Sequence, residues 1–363
     1  MEKISIGNWE LSALVIMSFC TKIFLNYPRV MSESAGSAGW ILSAYTSLLA
    51  FVIFTFMLRL YKKNYGMDLI DLGELIGGAP GRIITGVVII SFLIYFIPVN
   101  LREFSENMKI ISLVISPISF VTLFFLGTMI LAAYFGLEAI TRVNAIAVPV
   151  ISAGFILILV LVGQLYDFSK LMPWFGTGLQ EIFIGGLPKL SYFSEIIIFF
   201  MLPPFLKKFN NFRKSSYIGF VFAGSFLFLS TLVFLLVFEY PTSTESFLPI
   251  FQLSRLINYG RFLQRGESVF LLMWSFAAML YLSFGFFMLL YTFKKTLKLE
   301  YYKPLIMPFA VIIFSLSLTP PNLMSAIKLD TVYFLNWGWL ISFAFTTLVF
   351  IAAGIKKRKG KKE

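Results

Sequence analysis

The sequence contains no histidine and one cysteine, and only 13% of its 363 residues are charged. Without histidine, the chain lacks the commonest metal ligand and the side chain that most easily relays protons near neutral pH. Any proton transfer inside it would depend on Glu, Asp, Lys or Tyr. The single cysteine, Cys20, excludes an intrachain disulfide and argues against redox chemistry. The sequence also shows no GxxxxGK phosphate loop, no metal-ligand cluster and no recognisable nucleophile–base pair. We therefore expect neither an enzyme nor a bound metal or cofactor.

Apolar residues are abundant instead. They make up 58% of the chain, and 43 of them are phenylalanine. Soluble domains carry about 25% charged residues, roughly twice the fraction found here. The composition therefore predicts an integral membrane protein. Glu2, Lys3 and Glu10 precede the first apolar stretch, and no small-residue cleavage site follows it, so we do not expect a signal peptide.

Ten apolar stretches are long enough to cross a bilayer, whose hydrocarbon core needs about 20 helical residues. They lie at 9–32, 39–60, 82–101, 117–135, 143–165, 180–206, 214–239, 267–293, 304–320 and 331–355. The prediction is an all-α membrane protein with ten transmembrane helices in one domain, residues 1–363. The third and eighth helices are expected to continue as longer, tilted helices.

The basic residues set the orientation. The net charge is +12, and most of the 30 Lys and Arg residues lie between alternate spans and in the tail KKRKGKK at 356–362. This distribution is typical of cytoplasmic loops rather than of a nucleic-acid surface. We therefore predict that both termini are cytoplasmic, with a basic cytoplasmic tail at 356–363.

Two of the spans are interrupted near mid-depth and occupy corresponding places in the two halves of the chain. The first carries Lys22, Asn26 and Pro28, and the sixth carries Gly185, Gly186, Pro188 and Glu195. Such a pair of Pro/Gly-interrupted spans indicates the ligand site of a transporter built from inverted repeats.

Lys22 and Glu195 are the main candidates for a ligand site. A charge at mid-span costs about 3 kcal/mol or more, so Lys22 is expected to meet a carboxylate of a ligand or of another span, and snorkelling is the alternative. Glu195 is equally consistent with a structural cap on a broken helix. Pro28 suits the first turn of a half-helix, although a simple kink explains it as well. The predicted ligand-binding residues are Lys22, Asn26, Tyr27, Tyr95, Tyr192, Ser194, Glu195, Tyr281 and Ser283.

Two loops are predicted to have structure of their own. Residues 61–81 contain a short helix ending at Gly77-Gly78. In the external segment 245–266, Ile250, Leu253, Leu256 and Ile257 recur at helical spacing, with Arg255 off that face. This segment is expected to cap a cavity rather than to lie on the membrane surface. The group Asn100, Arg102, Glu103 and Glu106 is expected to form a solvated external rim. The predicted gating or structural residues are Pro28, Pro203, Leu253, Arg255, Ile257, Arg265 and Glu267.

Several segments together resemble the spore germination permease family, the B subunits of nutrient germinant receptors, within the amino acid–polyamine–organocation transporter superfamily. The segments are Pro28 with AGSAGWI (35–41), DLGELIGG (71–78), Arg102 with Glu106, GLEAITRVN (136–144), FSEIIIFFMLPP (193–204) and LPIFQLSRLINYGRFLQRGESVFLLMW (248–274). The resemblance covers essentially the whole chain. Relatives commonly have a Gly-rich break in the first span, where this chain has CTKIFLNYP (20–28).

The resemblance implies a LeuT-like fold of two inverted five-helix repeats, about 9–165 and 180–355, with helices 1 and 6 broken around a central site. It implies a membrane subunit of a germinant receptor in the spore inner membrane. The subunit would bind a small nutrient, often an amino acid, between helices 1, 3, 6 and 8 and signal to A and C partner subunits. The alternative is an H⁺- or Na⁺-coupled secondary amino acid transporter, and a structural or ion-conducting subunit is a third class.

Overall fold

A computed structural model describes residues 6–258 and 266–359, which are helical and contain no strand within those ranges. The helices are α1 (Asn8–Cys20), α2 (Tyr27–Ala35), α3 (Gly39–Tyr61), α4 (Leu69–Ile111), α5 (Ile118–Phe135), α6 (Leu137–Leu161), α7 (Leu179–Phe183), α8 (Ile196–Phe199), α9 (Phe209–Val237), α10 (Pro249–Arg255), α11 (Gly266–Thr296), α12 (Ile306–Ser317), α13 (Leu323–Lys328), α14 (Leu335–Trp339) and α15 (Thr346–Lys359). The predicted all-α fold is confirmed for this part of the chain.

Seven helical stretches among the described residues are long and apolar enough to cross a membrane. They are Tyr27–Asn64, Leu69–Ile111, Ile118–Phe135, Leu137–Leu165, Phe209–Val237, Gly266–Thr296 and Leu323–Lys357. A shorter apolar helix covers Lys303–Ser317. The chain is therefore an integral membrane protein. As predicted, the third and eighth apolar stretches continue as the long helices α4 and α11.

The first predicted interruption is present. Helix α1 ends at Cys20, a 3-10 turn covers Thr21–Phe24, and α2 begins at Tyr27. Pro28 lies in the first turn of α2, where a missing amide hydrogen leaves no helical hydrogen bond unmade. Pro28 therefore opens a half-helix, as one of the two interpretations of the sequence predicted.

The second interruption is more extensive. Residues 179–206 contain α7, a 3-10 helix over Leu187–Phe193, the four-residue α8 and a 3-10 turn at Pro203–Phe205. A Cβ atom at Gly186 would lie 2.4 Å from the Ile182 carbonyl oxygen and 2.3 Å from a methyl group of Leu42. A larger residue would clash here, so glycine allows the segment to turn tightly against α3.

Helix α4 is two helices joined at a kink. Asp68 caps its start by accepting hydrogen bonds from the amides of Ile70 and Asp71. The first part ends at Gly77-Gly78, where Gly78 has a φ of 63°. This confirms the predicted short helix, which leads directly into the membrane helix that begins near Pro80.

The two interrupted segments lie at the centre of the helix packing. Helix α1 packs against α6 and α9, and α11 packs against α4, α5 and α6. The 3-10 helix Leu187–Phe193 packs against α14. The last membrane stretch is itself irregular, with π-helical turns at Leu329–Phe334 and Leu340–Phe345 on either side of α14. This packing places the breaks beside α4, α11 and the first π-helical turn.

Candidate functional site

Lys22 and Glu195 form an ion pair where the two interrupted segments meet. The Lys22 Nζ atom lies 2.5 Å from Glu195 Oε2, and the side chains are 7% and 2% exposed. Lys22 also donates a hydrogen bond to the carbonyl oxygen of Tyr192. Each buried charge would be costly alone, and pairing offsets the loss of solvation. The structure thus brings together the two charges that the sequence identified in separate halves of the chain.

Tyr281 completes the coordination of the Glu195 carboxylate. Its hydroxyl donates a hydrogen bond to Glu195 Oε1 over 2.6 Å, opposite the oxygen that binds Lys22. Tyr281 lies on α11, and Ser283 is buried two residues further along the same helix. Helix α11 therefore holds Glu195 in a fixed orientation.

Tyr27 and Tyr192 line the same region from opposite segments. Their rings meet edge to face with centroids 4.8 Å apart, and the Tyr27 hydroxyl lies 2.9 Å from Ser43 Oγ. The Tyr192 hydroxyl and the Asn26 side-chain nitrogen are buried without hydrogen-bond partners among the described residues. These two groups remain available to a ligand.

Serines 191 and 194 have structural contacts. Ser194 donates a hydrogen bond to the carbonyl oxygen of Ser191 over 2.6 Å. The Ser191 hydroxyl donates to the Leu335 carbonyl and accepts from the Trp339 amide, which fastens the second break to α14. Ser194 therefore makes a local structural contact. Ser191, which was not among the predicted ligand-binding residues, joins the second broken segment to α14.

Tyr95 lies outside this cluster. It is 37% exposed and donates a hydrogen bond to the Leu329 carbonyl oxygen over 2.8 Å. It belongs to an apolar groove of about 510 Å³ between α4 and the last membrane stretch, shared with Tyr333 and Trp337. The structure thus places Tyr95 against the first π-helical turn rather than beside the ion pair.

A small cavity lies next to the ion pair. Its lining residues are Lys22, Leu25, Asn26, Phe96, Asn100, Ser191, Tyr192, Asp330 and Phe334. The cavity volume is about 10 Å³, enough for about one water molecule. The centre is therefore occluded in this conformation, and a nutrient-sized molecule needs the surrounding helices to move.

Sequence reasoning missed two acidic residues near this centre. Asp330 lines the cavity from the π-helical turn and interacts electrostatically with Lys22 and Glu195. Glu103 was expected on a solvated rim, and that prediction is wrong because α4 continues to Ile111 and buries Glu103 to 1% exposure. Asn100 and Arg102 are also buried. An acid within an apolar stretch was the signal available for Asp330.

Helix α10 lies over the break in the first segment. It packs against α11, α2 and Thr21–Phe24. Ile250, Leu253 and Ile257 are buried, whereas Leu256, predicted on the same face, is 39% exposed. Arg255 is exposed, and Arg265 lies outside the described residues.

Phe270 links the cap to the break. Its ring centroid lies 5.5 Å from that of Phe251 on α10 and 6.0 Å from that of Phe24. These three aromatic rings lie between the break and α10. A displacement of α10 would therefore disturb this contact.

The loop between α9 and α10 is also attached to α2. The hydroxyls of Ser32 and Ser243 lie 2.6 Å apart, and the Arg29 guanidinium lies 4.8 Å from the ring centroid of Phe247. Beyond the cap, a vestibule of about 710 Å³ is lined partly by Asn107, Arg255 and Glu267. A displacement of α2 would therefore move the loop that borders this vestibule.

A charged network joins the start of α4 to the end of α11. Lys295 Nζ lies 2.5 Å from Asp68 Oδ2 and 2.7 Å from Asp71 Oδ2. Burial raises the pKa of Asp68, and the Lys295 ammonium opposes that effect. Tyr65 adds a hydrogen bond to the Leu206 carbonyl. The network ties the start of α4 to the end of α11, and Pro203 is buried close by in the second broken segment.

Comparison with known proteins agrees with this geometry. Residues 5–323 match the spore permease family, whose description is spore germination protein. The chain is 26% identical over 263 residues to spore germination protein B2 of Bacillus subtilis (strain 168), covering 70% of this chain and 71% of that protein.

Solved transporter structures share the fold. A Na⁺-coupled sialic acid symporter in a substrate-bound outward-open state aligns with a TM-score of 0.66 at 12% identity, covering 98% of this chain and 89% of the symporter. The nucleobase-cation-symport-1 family transporter Mhp1, in a closed conformation with bromovinylhydantoin bound, aligns with a TM-score of 0.62 at 11% identity, covering 98% and 91%. The expected LeuT-like fold is therefore confirmed at the level of architecture.

Proposed function

Because this chain belongs to the spore germination protein family, we propose that it is the membrane subunit of a germinant receptor. It binds a small nutrient, such as an amino acid, between transmembrane helices 1, 3, 6 and 8 and signals germination to A and C partner subunits. It resides in the spore inner membrane with both termini in the cytoplasm. The observation that carries this proposal is the buried Lys22–Glu195 pair where the two broken segments meet.

The proposed topology has ten membrane helices in two inverted five-helix repeats within one domain. Helix α3, α4, α5, α6, α9, α11 and the stretch 323–357 supply seven. The interrupted segments 8–35 and 179–206 and helix α12 supply the other three. The likeness to the two transporters supports this assignment, and the basic loops support the orientation.

Nutrient binding is proposed to replace contacts within the Lys22–Glu195 pair. The ligand carboxylate binds the Lys22 ammonium, and the ligand ammonium binds Glu195, so both buried charges remain paired. A nutrient requires more room than the present cavity offers, so it binds a more open conformation and increases its population. Because the external loop is attached to α2, that change reaches the outer surface, where a partner subunit senses it.

Complementation in spores tests the receptor function. A strain lacking this chain should lose its response to one nutrient and regain it with the wild-type gene, but not with Lys22→Met. The amount of variant in the spore inner membrane is measured by blotting. A normal amount shows that the variant has lost nutrient recognition rather than membrane insertion. Normal nutrient sensitivity of the null strain would contradict the proposal.

A working secondary amino acid transporter coupled to H⁺ or Na⁺ is the second candidate. The likeness to a Na⁺-coupled symporter favours it, although at 12% identity this likeness concerns the fold alone. Purified chain in proteoliposomes distinguishes the candidates. Uptake of a radiolabelled amino acid that depends on an imposed ion gradient indicates a transporter, whereas binding without uptake indicates a receptor.

A further inference from the structure

Three polar residues on α4 form a line between the vestibule and the central cavity. Asn100, Glu103 and Asn107 are spaced by three and four residues, which places them on one face of the helix. Asn100 lines the central cavity, whereas Asn107 lines the external vestibule. Glu103 lies between them, so the row leads from the outer surface to the ion pair.

Each member of this row offers a hydrogen-bond acceptor. Glu103 Oε1 and Asn107 Oδ1 are buried and have no hydrogen-bond partner among residues 6–258 and 266–359. Asn100 donates its amide NH₂ group to the Phe96 carbonyl, which leaves its oxygen as an acceptor. Buried acceptors of this kind are costly unless a donor reaches them. The row is therefore complementary to a group that carries several N–H donors.

The charges around the row also favour a cation. Lys22 is already bound by Glu195, and Arg102 is bound by Glu106 over 2.8 Å. Asp330 and Asn100 line the same central cavity, so a second carboxyl group lies at the inner end of the row.

The remaining nearby cation gives only partial compensation. Lys189 interacts with Asp330 and also with Glu33, which is itself paired with Arg29. In the part of the chain that the structure describes, Glu103 therefore lacks a cation of its own. A bound positive charge would stabilise the ionised forms of Glu103 and Asp330.

We propose that Asn100, Glu103 and Asn107 form an outer subsite that binds the ammonium group of a small ligand before the ligand reaches Lys22 and Glu195. The subsite deepens the proposed receptor function, on which it rests, and it assigns the ligand class as molecules with a primary ammonium group. Glu103 supplies the charge, and the two asparagines supply further acceptors. An ammonium group also stabilises the ionised form of the buried Glu103, whereas an anion without an amine offers no N–H donor to these acceptors.

Methylammonium is the probe that tests the subsite on the purified full-length protein. Thermal unfolding is measured with methylammonium chloride, tetramethylammonium chloride or sodium chloride at equal ionic strength. We expect methylammonium to raise the melting temperature with a saturable dependence. Tetramethylammonium has no N–H donor and should not do so, and neither should sodium.

Two variants localise the effect. Glu103→Gln removes the charge with little change in shape, and the methylammonium concentration for half-maximal stabilisation should rise about tenfold or more, since hydrogen bonds to charged groups are the stronger ones. Glu138→Gln, at an exposed position on α6, is the control and should leave that concentration unchanged. Asn107→Leu is a neutral second variant that should also weaken the effect, and it keeps the test valid if Glu103→Gln does not fold.

The proposal is overturned if the wild type shows no methylammonium effect, if sodium or tetramethylammonium gives the same effect, or if Glu103→Gln and Asn107→Leu both respond as the wild type does. If methylammonium stabilises the purified protein but spores that carry it respond to no nutrient, the subsite is supported and the receptor function is contradicted. The two failures are therefore distinguishable.

Discussion

Tyr281 and Lys22 bind opposite oxygens of the same carboxylate. The Tyr281 hydroxyl lies 2.6 Å from Glu195 Oε1, and the Lys22 ammonium lies 2.5 Å from Glu195 Oε2. The two partners come from α11 and from the break after α1, so Glu195 connects three parts of the chain. Changes to this carboxylate should therefore affect both the stability of the protein and its response to a ligand.

The first prediction concerns the ion pair. Lys22→Met and Glu195→Gln should each destabilise the protein by about 3–5 kcal/mol, because each leaves a buried charge without its partner. The double variant leaves neither charge unpaired and should recover folding better than either single variant. Its spores should still fail to respond to nutrient. Thermal unfolding of the purified proteins and germination dose–response curves provide the measurements.

Controls for this prediction come from an exposed pair. Arg142→Met should have little effect, because the Arg142–Glu138 pair on α6 is exposed to solvent and such pairs contribute about 0–1 kcal/mol. Wild-type sensitivity in both single variants would show that neither residue is at the site. A fully responsive double variant would make the pair structural.

The second prediction concerns Tyr281. Tyr281→Phe removes one hydrogen bond to a charged group, which should lower the free energy of unfolding by about 1.5–3 kcal/mol. The side chain keeps its ring contacts with Phe96 and Phe104, so packing is preserved. Tyr333→Phe is the control, since Tyr333 is 60% exposed. Equal stability of the two variants would show that Tyr281 does not orient Glu195.

The third prediction concerns the α10 cap. Leu253→Asp or Ile257→Asp places a charge on the buried face of the cap and should shift the nutrient concentration for half-maximal germination. Leu256→Asp, at an exposed neighbouring position, should leave it unchanged. Dose–response curves of spores with equal amounts of inserted protein make the comparison. If all three variants respond as the wild type does, the cap does not control access.

The fourth prediction concerns the charged network between α4 and α11. Lys295→Met leaves the buried Asp68 without its cation and should make the start of α4 open more readily, because removing one partner of a buried pair is costly. Lys294→Met is the control, since the structure shows no ion pair for Lys294 with any described acid. Amide hydrogen exchange at residues 68–77 should accelerate in the first variant only. Unchanged exchange there would argue that the network does not hold the start of α4.

The fifth prediction concerns topology. With Cys20 replaced, single cysteines at Lys170 and Asn258 should react with a membrane-impermeant thiol reagent added to intact cells. Cysteines at Lys62 and Asn210 should be protected until the membrane is permeabilised. Protection at position 170 together with labelling at position 62 would reverse the proposed orientation.

The helical fold and both broken segments were predictable from the sequence because each leaves a local signal. Pro28 and Gly186 mark the breaks, and the charge of Lys22 in an apolar stretch requires a partner. The proximity of Lys22 and Glu195 could be inferred only because the two interruptions occupy matching positions in the two halves of the chain. Tyr281 was predicted as a polar group within a span, but its partner was not.

The burial of Glu103 and the position of Asp330 at the centre were not predictable, although the acid at position 330 is visible within an apolar stretch. Glu103 lies among polar residues that resemble a helix end, and only the continuation of α4 to Ile111 shows that it is buried. Asp330 lines the central cavity from a π-helical turn, and helical periodicity of the sequence does not predict that register. The site thus depends on irregular backbone that arises from tertiary packing rather than from the local sequence.

The last membrane stretch contains two π-helical turns, at Leu329–Phe334 and Leu340–Phe345, so the number of residues per turn varies along it. A π turn accommodates an additional residue relative to an α turn, and one residue corresponds to about 100° of rotation around a helix axis. Passing such a turn along the helix would rotate Asp330 relative to Lys22. Such rewinding changes the charge that faces the centre without a hinge or domain movement.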